Sequence, residues 1–289
     1  MDYIGIFELG IIFSIFVLGM IFSFRLLGFA DLTIEGSFTM GGAIFSILSI
    51  SGINPVFAFL LSILGGGLAG FATASLHCFL GINKLLSGII TLTLLYTLNL
   101  RIMGKSNLFI DTPTLFSLVS YPWFDKVVLV FLCIVVFSLA KLLLSTNFGL
   151  YLRATGENDG LIRKLNYNPN KFIVIGLIIS NALIAMSGSL FAQYVGYNDI
   201  GSGQGMLVSM LTAMIVGENI INPSSINRQL LAAFVGAIIF QFIYSFALEI
   251  GVNPIDLKFL IGVLLISFLA FAKYSSRKKI NKNIGCDFI

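Results

Sequence analysis

Apolar residues run through this chain in long unbroken blocks, each closed by a charge, a proline or a small polar cluster. Cut at those breaks, the blocks predict helices near residues 4–24, 36–50, 55–76, 85–103, 127–145, 172–194, 205–221, 229–248 and 255–272. A helix satisfies its own backbone in lipid, so an apolar run of about 20 residues reads as a membrane crossing. The segments 36–50 and 205–221 are short and open on small residues: Gly36-Ser37-Phe38-Thr39-Met40-Gly41-Gly42, and Gly201-Ser202-Gly203-Gln204-Gly205. They are expected to be broken or re-entrant. The fold class expected is therefore all-α and polytopic, with about 8–9 transmembrane or re-entrant helices.

Composition sharpens the picture. Of 289 residues, 57% are hydrophobic and 10% charged, whereas a soluble domain carries roughly 25% charged residues. A water-soluble protein is excluded, and little chain is left for a second globular unit. One transmembrane domain is expected over 1–272, with a basic tail over 273–289. Met1-Asp2-Tyr3 has no positive n-region, so the first block reads as a retained helix rather than a cleaved signal. Cys78, Cys133 and Cys286 have no metal-like spacing and are expected to be free thiols.

The net charge is +4, and its clustering carries topology rather than a nucleic-acid footprint. With the C-terminus placed in the cytoplasm, the inner side holds Arg25, Lys84, Arg153, Arg163, Lys164, Lys171, Arg228, Lys273, Arg277, Lys278, Lys279 and Lys282. Lys105 and Lys126 fall in an outer loop with Tyr121 and Trp123 as interfacial anchors. Arg101 and Lys258 sit near outer helix ends, and Lys141 can snorkel inward. If all nine segments cross, the N-terminus lies outside.

The two halves also resemble each other. Asp31 pairs with Asp199, Gly36 with Gly205, and Gly81-Ile82-Asn83 with Gly251-Val252-Asn253, at separations of 168, 169 and 170 residues. Each half carries a Gly-rich short helix, a long helix, a Gly-apolar-Asn turn and a further helix. The first set starts on the inner side and the second outside, so the repeat is inverted, a pattern shared with transporters.

The longest polar stretch is 146–171. Glu157 and Asp159 precede Arg163 and Lys164, matching the dipole of a short helix, and Leu161, Ile162 and Leu165 form an apolar stripe. Asn168 caps and Pro169 opens the next helix. A segment of this length exceeds the usual 2–8-residue helix connection and suits contact with a soluble partner, although a solvated connector would look similar.

At these residues the chain resembles the permeases of bacterial ABC importers of the branched-chain amino acid type. Arg25 followed by Leu27-Gly28-Phe29-Ala30-Asp31-Leu32-Thr33-Ile34-Glu35-Gly36-Ser37-Phe38-Thr39-Met40-Gly41-Gly42-Ala43 is similar to their first block. Gly149-Leu150-Tyr151-Leu152-Arg153-Ala154-Thr155-Gly156-Glu157-Asn158 is similar to their cytoplasmic coupling segment. Ser180 to Tyr194 and Val216-Gly217-Glu218 complete the resemblance. The nearest subgroup is the one associated with uptake of tryptophan or tyrosine. Where that family usually has Gly, this chain has Asn166, which tolerates a left-handed cap.

The resemblance implies a translocation subunit without catalytic residues or cofactor, acting as a homodimer in a bacterial cytoplasmic membrane. A cytoplasmic ATPase subunit would supply energy and an extracytoplasmic substrate-binding protein would deliver solute. The chain itself has no G-x-x-x-x-G-K-[ST] phosphate loop. ATPase coupling is expected at Arg153, Ala154, Thr155, Gly156, Glu157, Asn158, Leu161, Arg163 and Lys164. A translocation pathway is expected along Gly36, Ser37, Thr39, Gly41, Gly42, Asn181, Ser187, Gly188 and Gln193, residues that equally suit close helix packing. Asp31 and Glu35 flank Arg25 and could pair with it. An ion-gradient-driven transporter with inverted repeats and a membrane scaffold remain as alternatives; the former would normally need an ionisable residue or an unwound cation site at the bilayer midplane.

Overall fold

A computed structural model describes residues 3–117, 123–253, 256–268 and 270. The basic tail, Tyr121 and Cys286 lie outside the described residues. The long helices are α1 (Tyr3–Met20), α2 (Thr33–Ile50), α3 (Pro55–Cys78), α4 (Lys84–Met103) and α5 (Phe124–Ser145). Two short helices follow, α6 (Asn147–Glu157) and α7 (Asp159–Lys164), then α8 (Pro169–Val195), α9 (Met206–Ile220), α10 (Ile226–Glu249) and α11 (Leu257–Phe268). A π-helical turn, Ile21–Leu26, extends α1. Among the described residues, seven helices are long and apolar enough to cross a membrane, so the chain is an all-α polytopic membrane protein.

Starts and stops obey local chemistry. Asn54 and Asn83 accept from the N–H groups of Val56 and Leu85 at the heads of α3 and α4, satisfying amides that a helix leaves free. Pro55 and Pro169 occupy first-turn positions, where a missing N–H costs nothing. What the sequence did not announce is a two-stranded antiparallel ribbon, β1 (Asn107–Phe109) with β2 (Tyr197–Asp199). Three-residue strands are too short for a periodic signal.

Contacts sort the connections onto two faces. The ribbon, the Ser49–Thr112 bond at 2.6 Å and the Tyr194–Glu8 bond at 3.0 Å mark one end of the bundle. Lys84 to the Gly28 carbonyl, Arg25 to Glu218 and Asn170 to the Cys78 carbonyl mark the other, which also carries α6 and α7. These are the ribbon face and the helical face. Lys84, Arg153, Arg163 and Lys164 gather on the helical face, and Lys105, Lys126 and Lys258 at the ribbon end.

At the centre, α8 packs on α1, α2 and α3. Small residues set its depth: a methyl on Gly41 would stand 2.6 Å from the Ala185 carbonyl carbon, and one on Gly188 2.7 Å from that of Phe38. Such approach is how apolar helices gain packing energy where lipid offers no hydrophobic drive.

The repeat has a counterpart in the elements. The order α2–α3–α4 recurs as α9–α10–α11, and α3 packs on α8 as α10 packs on α1. Asp31 Oδ1 accepts the Thr33 N–H at 2.9 Å, and Asp199 Oδ1 accepts the Gly201 N–H at 2.7 Å. Gly81 and Gly251 both close a helix with positive φ, 70° and 92°. α2 runs from the helical face to the ribbon face and α9 runs the opposite way.

Candidate coupling and translocation sites

The helical face is built on a break in α1. At its end the backbone widens, the Leu27 N–H reaching the Phe22 carbonyl at 3.2 Å, a π-type turn of the kind that marks functional positions. The segment 27–32 then turns back into the protein instead of running along its surface: Leu27, Phe29 and Asp31 are buried. Irregular backbone at this depth needs partners in the protein. Asp31 supplies them, capping α2 through Thr33 and accepting from Asn181 Nδ2 at 2.7 Å, while Asn181 Oδ1 accepts from Ser37 at 2.6 Å.

Helix α6 lies directly on this turn. A methyl on Gly156 would meet the Leu26 carbonyl carbon at 2.8 Å and that of Leu27 at 2.9 Å. Leu152 and Thr155 are buried beside it. Arg153 points inward too, its guanidinium donating to the carbonyls of Gly149 and Leu144 at 3.1 and 3.3 Å, which fixes the α5–α6 corner. Asn158 breaks the helix and caps α7 by accepting from the Gly160 N–H at 3.0 Å. Asn166 holds φ at 63°, the sole non-glycine residue with positive φ among those described. The Tyr151 and Tyr167 rings lie 4.7 Å apart, their hydroxyls at 3.5 Å, and that bond raises the Tyr151 phenol above its ordinary pKa.

The nine residues expected from the sequence to couple thus divide. Glu157, Asn158, Leu161, Arg163 and Lys164 are exposed, Thr155 is buried, and Arg153, Ala154 and Gly156 are half-buried. Of the apolar stripe, Ile162 is buried, whereas Leu161 and Leu165 face outward at 49% and 53% exposure.

A second irregular segment enters from the ribbon face. α9 has 15 residues, about 22 Å at 1.5 Å per residue, short of the ~30 Å hydrocarbon core. Residues 200–205 complete the crossing as turns set against α2: the Gly203 N–H donates to Thr39 Oγ1 at 3.1 Å, and the N–H groups of Gly205 and Leu207 donate to Glu35 Oε1 at 3.0 and 3.4 Å. A carboxylate at the amino end of α9 stabilises it through bonds and dipole together.

Where this segment meets α2 and α4 there is a cavity of about 310 Å³, with Glu35, Gly36, Thr39, Tyr96, Asn99 and Gln204 in its wall. Asn99 Nδ2 donates to the Gly36 carbonyl at 3.0 Å, and its Oδ1 is buried without a partner. Gly36 and Thr39, expected from the sequence, sit here. Ser37, Asn181, Gly41 and Gly188 lie instead in the α2–α8 contact, Gly42 faces Asn198, and Ser187 donates to the Ile12 carbonyl at 2.8 Å. Gln193 lines a separate cavity of about 180 Å³ with Glu8, Asp125 and Tyr194, its Oε1 accepting the Leu115 N–H at 3.0 Å.

Arg25 pairs with neither Asp31, whose two oxygens are taken by Thr33 and Asn181, nor Glu35, whose Oε1 holds the start of α9. It forms a two-pronged bond with Glu218 at the far end of α9, Nε to Oε1 at 2.7 Å and Nη2 to Oε2. Sequence reasoning also passed over Tyr96 and Asn99. The signal was available for Asn99, a polar amide amid apolar α4, since such residues face a bundle interior or a cavity. His77 bonds the Ile82 carbonyl at 2.7 Å and meets Phe29 edge-on, as an interfacial histidine should. Cys78 and Cys133 are free.

Comparison with known proteins agrees with this architecture. No solved structure matches the chain. It is 37% identical, over 97% of its length and 95% of the relative's, to a tyrosine transport system permease protein of Clostridioides difficile. It is 33% identical to an uncharacterized protein of Rickettsia prowazekii, over 86% of this chain and 89% of the other. An autoinducer 2 import system permease protein of Yersinia pseudotuberculosis is 25% identical over 76% of this chain and 63% of its own. Residues 3–269 match the family described as branched-chain amino acid transport system / permease component; the chain belongs to that family of ABC-importer permeases.

Proposed function

We propose that this chain is the translocation subunit through which an ATP-driven importer moves an amino acid, of the aromatic class, into a bacterial cell. The substrate class is suggested by the likeness to a tyrosine permease. An extracytoplasmic binding protein would deliver solute to the ribbon face, a separate ATPase would grip the helical face, and the C-terminus would lie in the cytoplasm. The observation that carries the reading is the seating of α6 on the end of α1: Gly156 against Leu26 and Leu27, with Glu157, Asn158, Leu161, Arg163 and Lys164 turned outward. A partner that pushes on the exposed residues moves the turn at 27–32.

For the pathway, the cavity at Gly36, Thr39, Tyr96, Asn99 and Gln204 offers amide and hydroxyl groups to a polar solute. It opens where α2 and α4 would meet a second permease copy, so a homodimer would carry two such walls around one path. Ser37, Gly41, Asn181 and Gly188 serve the pathway by fixing α2 against α8, Gly42 by seating α2 on Asn198, Ser187 by tying α8 to α1, and Gln193 by holding the Leu115 turn.

The test is recovery of the detergent-solubilised protein from its native membrane with its co-purifying proteins. A phosphate-loop ATPase is expected, lost when Leu161→Asp and Arg163→Glu are combined. A stable complex free of any ATPase overturns the proposal and favours an ion-driven transporter.

A further inference from the structure

The largest cavities described include one of about 470 Å³ enclosed by α1, α8, α9, α10 and α11 near the ribbon face, inside a single protomer. That volume lies in the ~300–1,000 Å³ range of small-molecule sites. One wall is aromatic: the rings of Phe13 and Phe191 stack at 5.7 Å. The opposite wall, from α10, carries Phe240 and Tyr244, stacked at 6.4 Å, with Gln241 between them.

Two of its polar side chains lack hydrogen-bond partners among the described residues. Gln241 is 4% exposed, yet its side-chain amide has no hydrogen-bond partner among the described residues. The Ser202 hydroxyl in the wall is also buried without a partner. A buried hydroxyl left unpaired costs about 1–3 kcal/mol, and the Gln241 amide in the same lining is free to bond whatever enters the cavity.

The charge points to what that is. Lys258 lines the cavity and has no acidic partner among the described residues, and none of the lining residues is acidic. Its side chain runs past Gly205, where an added methyl would meet Cε at 3.7 Å and Nζ at 3.9 Å. Gly205 is the N-cap of α9, an end whose N–H groups are already met by Glu35 Oε1, so it is the ammonium itself that is left without an ion pair. A cation without an ion pair in a largely apolar cavity is favourable once an anion joins it.

We propose that this cavity binds an aromatic α-amino acid within one protomer, its carboxylate on Lys258, its ammonium on the Gln241 carbonyl oxygen and its ring between the two aromatic pairs. The identity of the ligand rests on the amino-acid importer reading; the cation, the free amide and the aromatic walls stand apart from it. Residues 200–205 then separate this site from the 310 Å³ cavity, since Gln204 borders both. Solute would wait on one side of that segment and pass on the other.

The test is equilibrium binding of radiolabelled L-tyrosine to the purified full-length permease in nanodiscs, with unlabelled competitors. Saturable binding is expected, competed by L-phenylalanine, and at least tenfold more weakly by tyramine, which lacks the carboxylate, and by 3-(4-hydroxyphenyl)propionate, which lacks the ammonium. Lys258→Gln and Gln241→Leu should each weaken binding at least tenfold with melting temperature unchanged. The ligand series on the unaltered protein decides the matter even if a variant misfolds. Tyramine or a straight-chain fatty acid competing as well as tyrosine overturns the proposal, as does retention of affinity within twofold in Lys258→Gln. Absent binding alongside intact ATP-driven uptake sinks this site and leaves the importer reading standing; binding without such uptake does the reverse.

Discussion

Replacing Gly156 by alanine sets two local effects against each other. Alanine is the better helix former by about 1 kcal/mol, so α6 itself should be firmer. Its docking should fail, because the new methyl would stand 2.8 Å from a backbone carbonyl carbon where ordinary contact begins near 3.4 Å. The neighbour is the Leu26–Leu27 backbone in the π-type turn, which has no rotamer to yield, so α6 must retreat by at least about 0.6 Å. Overpacking of this kind costs about 1–3 kcal/mol, a factor of about 5 to 150 in the docked population. The exposed residues of 157–164, proposed to meet the ATPase, are untouched. Reconstituted with its ATPase and binding protein, the variant should keep complex assembly and basal ATP hydrolysis while losing at least fivefold in solute-stimulated hydrolysis and uptake together. Gly262→Ala is the control, since a methyl there has nothing within 4 Å. Wild-type coupling in Gly156→Ala would refute the claim that the contact with Leu26 transmits anything.

Glu35→Ala removes the acceptor of the Gly205 and Leu207 N–H groups; loss of a cap costs about 0.5–2 kcal/mol, and amide exchange at the start of α9 should quicken with the rest of the bundle unchanged. The Arg25–Glu218 pair is half exposed at its arginine, so Glu218→Gln should shift thermal stability by no more than about 1 kcal/mol, whereas a larger change in transport rate, restored by exchanging the two charges, would show that the pair acts in the cycle. Asn166→Gly should stabilise or leave unchanged the α7–α8 corner, and Asn166→Val should destabilise it by about 1–2 kcal/mol, read as protease sensitivity of residues 158–168. Gly41→Ala should lower the melting temperature through its overlap with Ala185, and an unaffected melting curve would mean α2 and α8 are packed less closely than described.

The membrane helices were legible because lipid demands long self-satisfied blocks, and their edges because Asn54, Asn83 and Asn168 cap with their own side chains within two residues. Asn166 was legible for the same reason: its left-handed backbone is a local demand. What escaped depends on partners far along the chain. Glu35 caps a helix 170 residues away and Arg25 finds Glu218 across 193; nothing in the neighbourhood of either residue names that partner. The glycines were visible as a pattern, but the pattern alone could not sort Gly36, which borders a cavity, from Gly41, five residues on and pressed against Ala185. The polar stretch 146–171 was legible as a long segment carrying a short helix, yet its division into an inward α6 and an outward α7 turns on Asn158 as a cap in mid-segment.

Helix α2 ties the two faces together. At its start Asp31 and Thr33 belong to the turn on which α6 rests, and about one and two turns further Glu35 and Thr39 hold the segment that opens α9. A helix is stiff over such a span, so α2 cannot shift at Asp31 without carrying Glu35 and Thr39 with it. The other end of α9 is tied back to the same turn through Glu218 and Arg25. A push on the helical face therefore reaches the 200–205 segment by two mechanical routes, the caps on α2 and the body of α9. Both act on Gln204, which stands between the two cavities. Breaking one route, with Glu218→Gln or Glu35→Ala, should leave partial coupling through the other, and the double variant should lose more than the two single losses combined. Simple additivity would mean that α2 and α9 do not move as linked bodies.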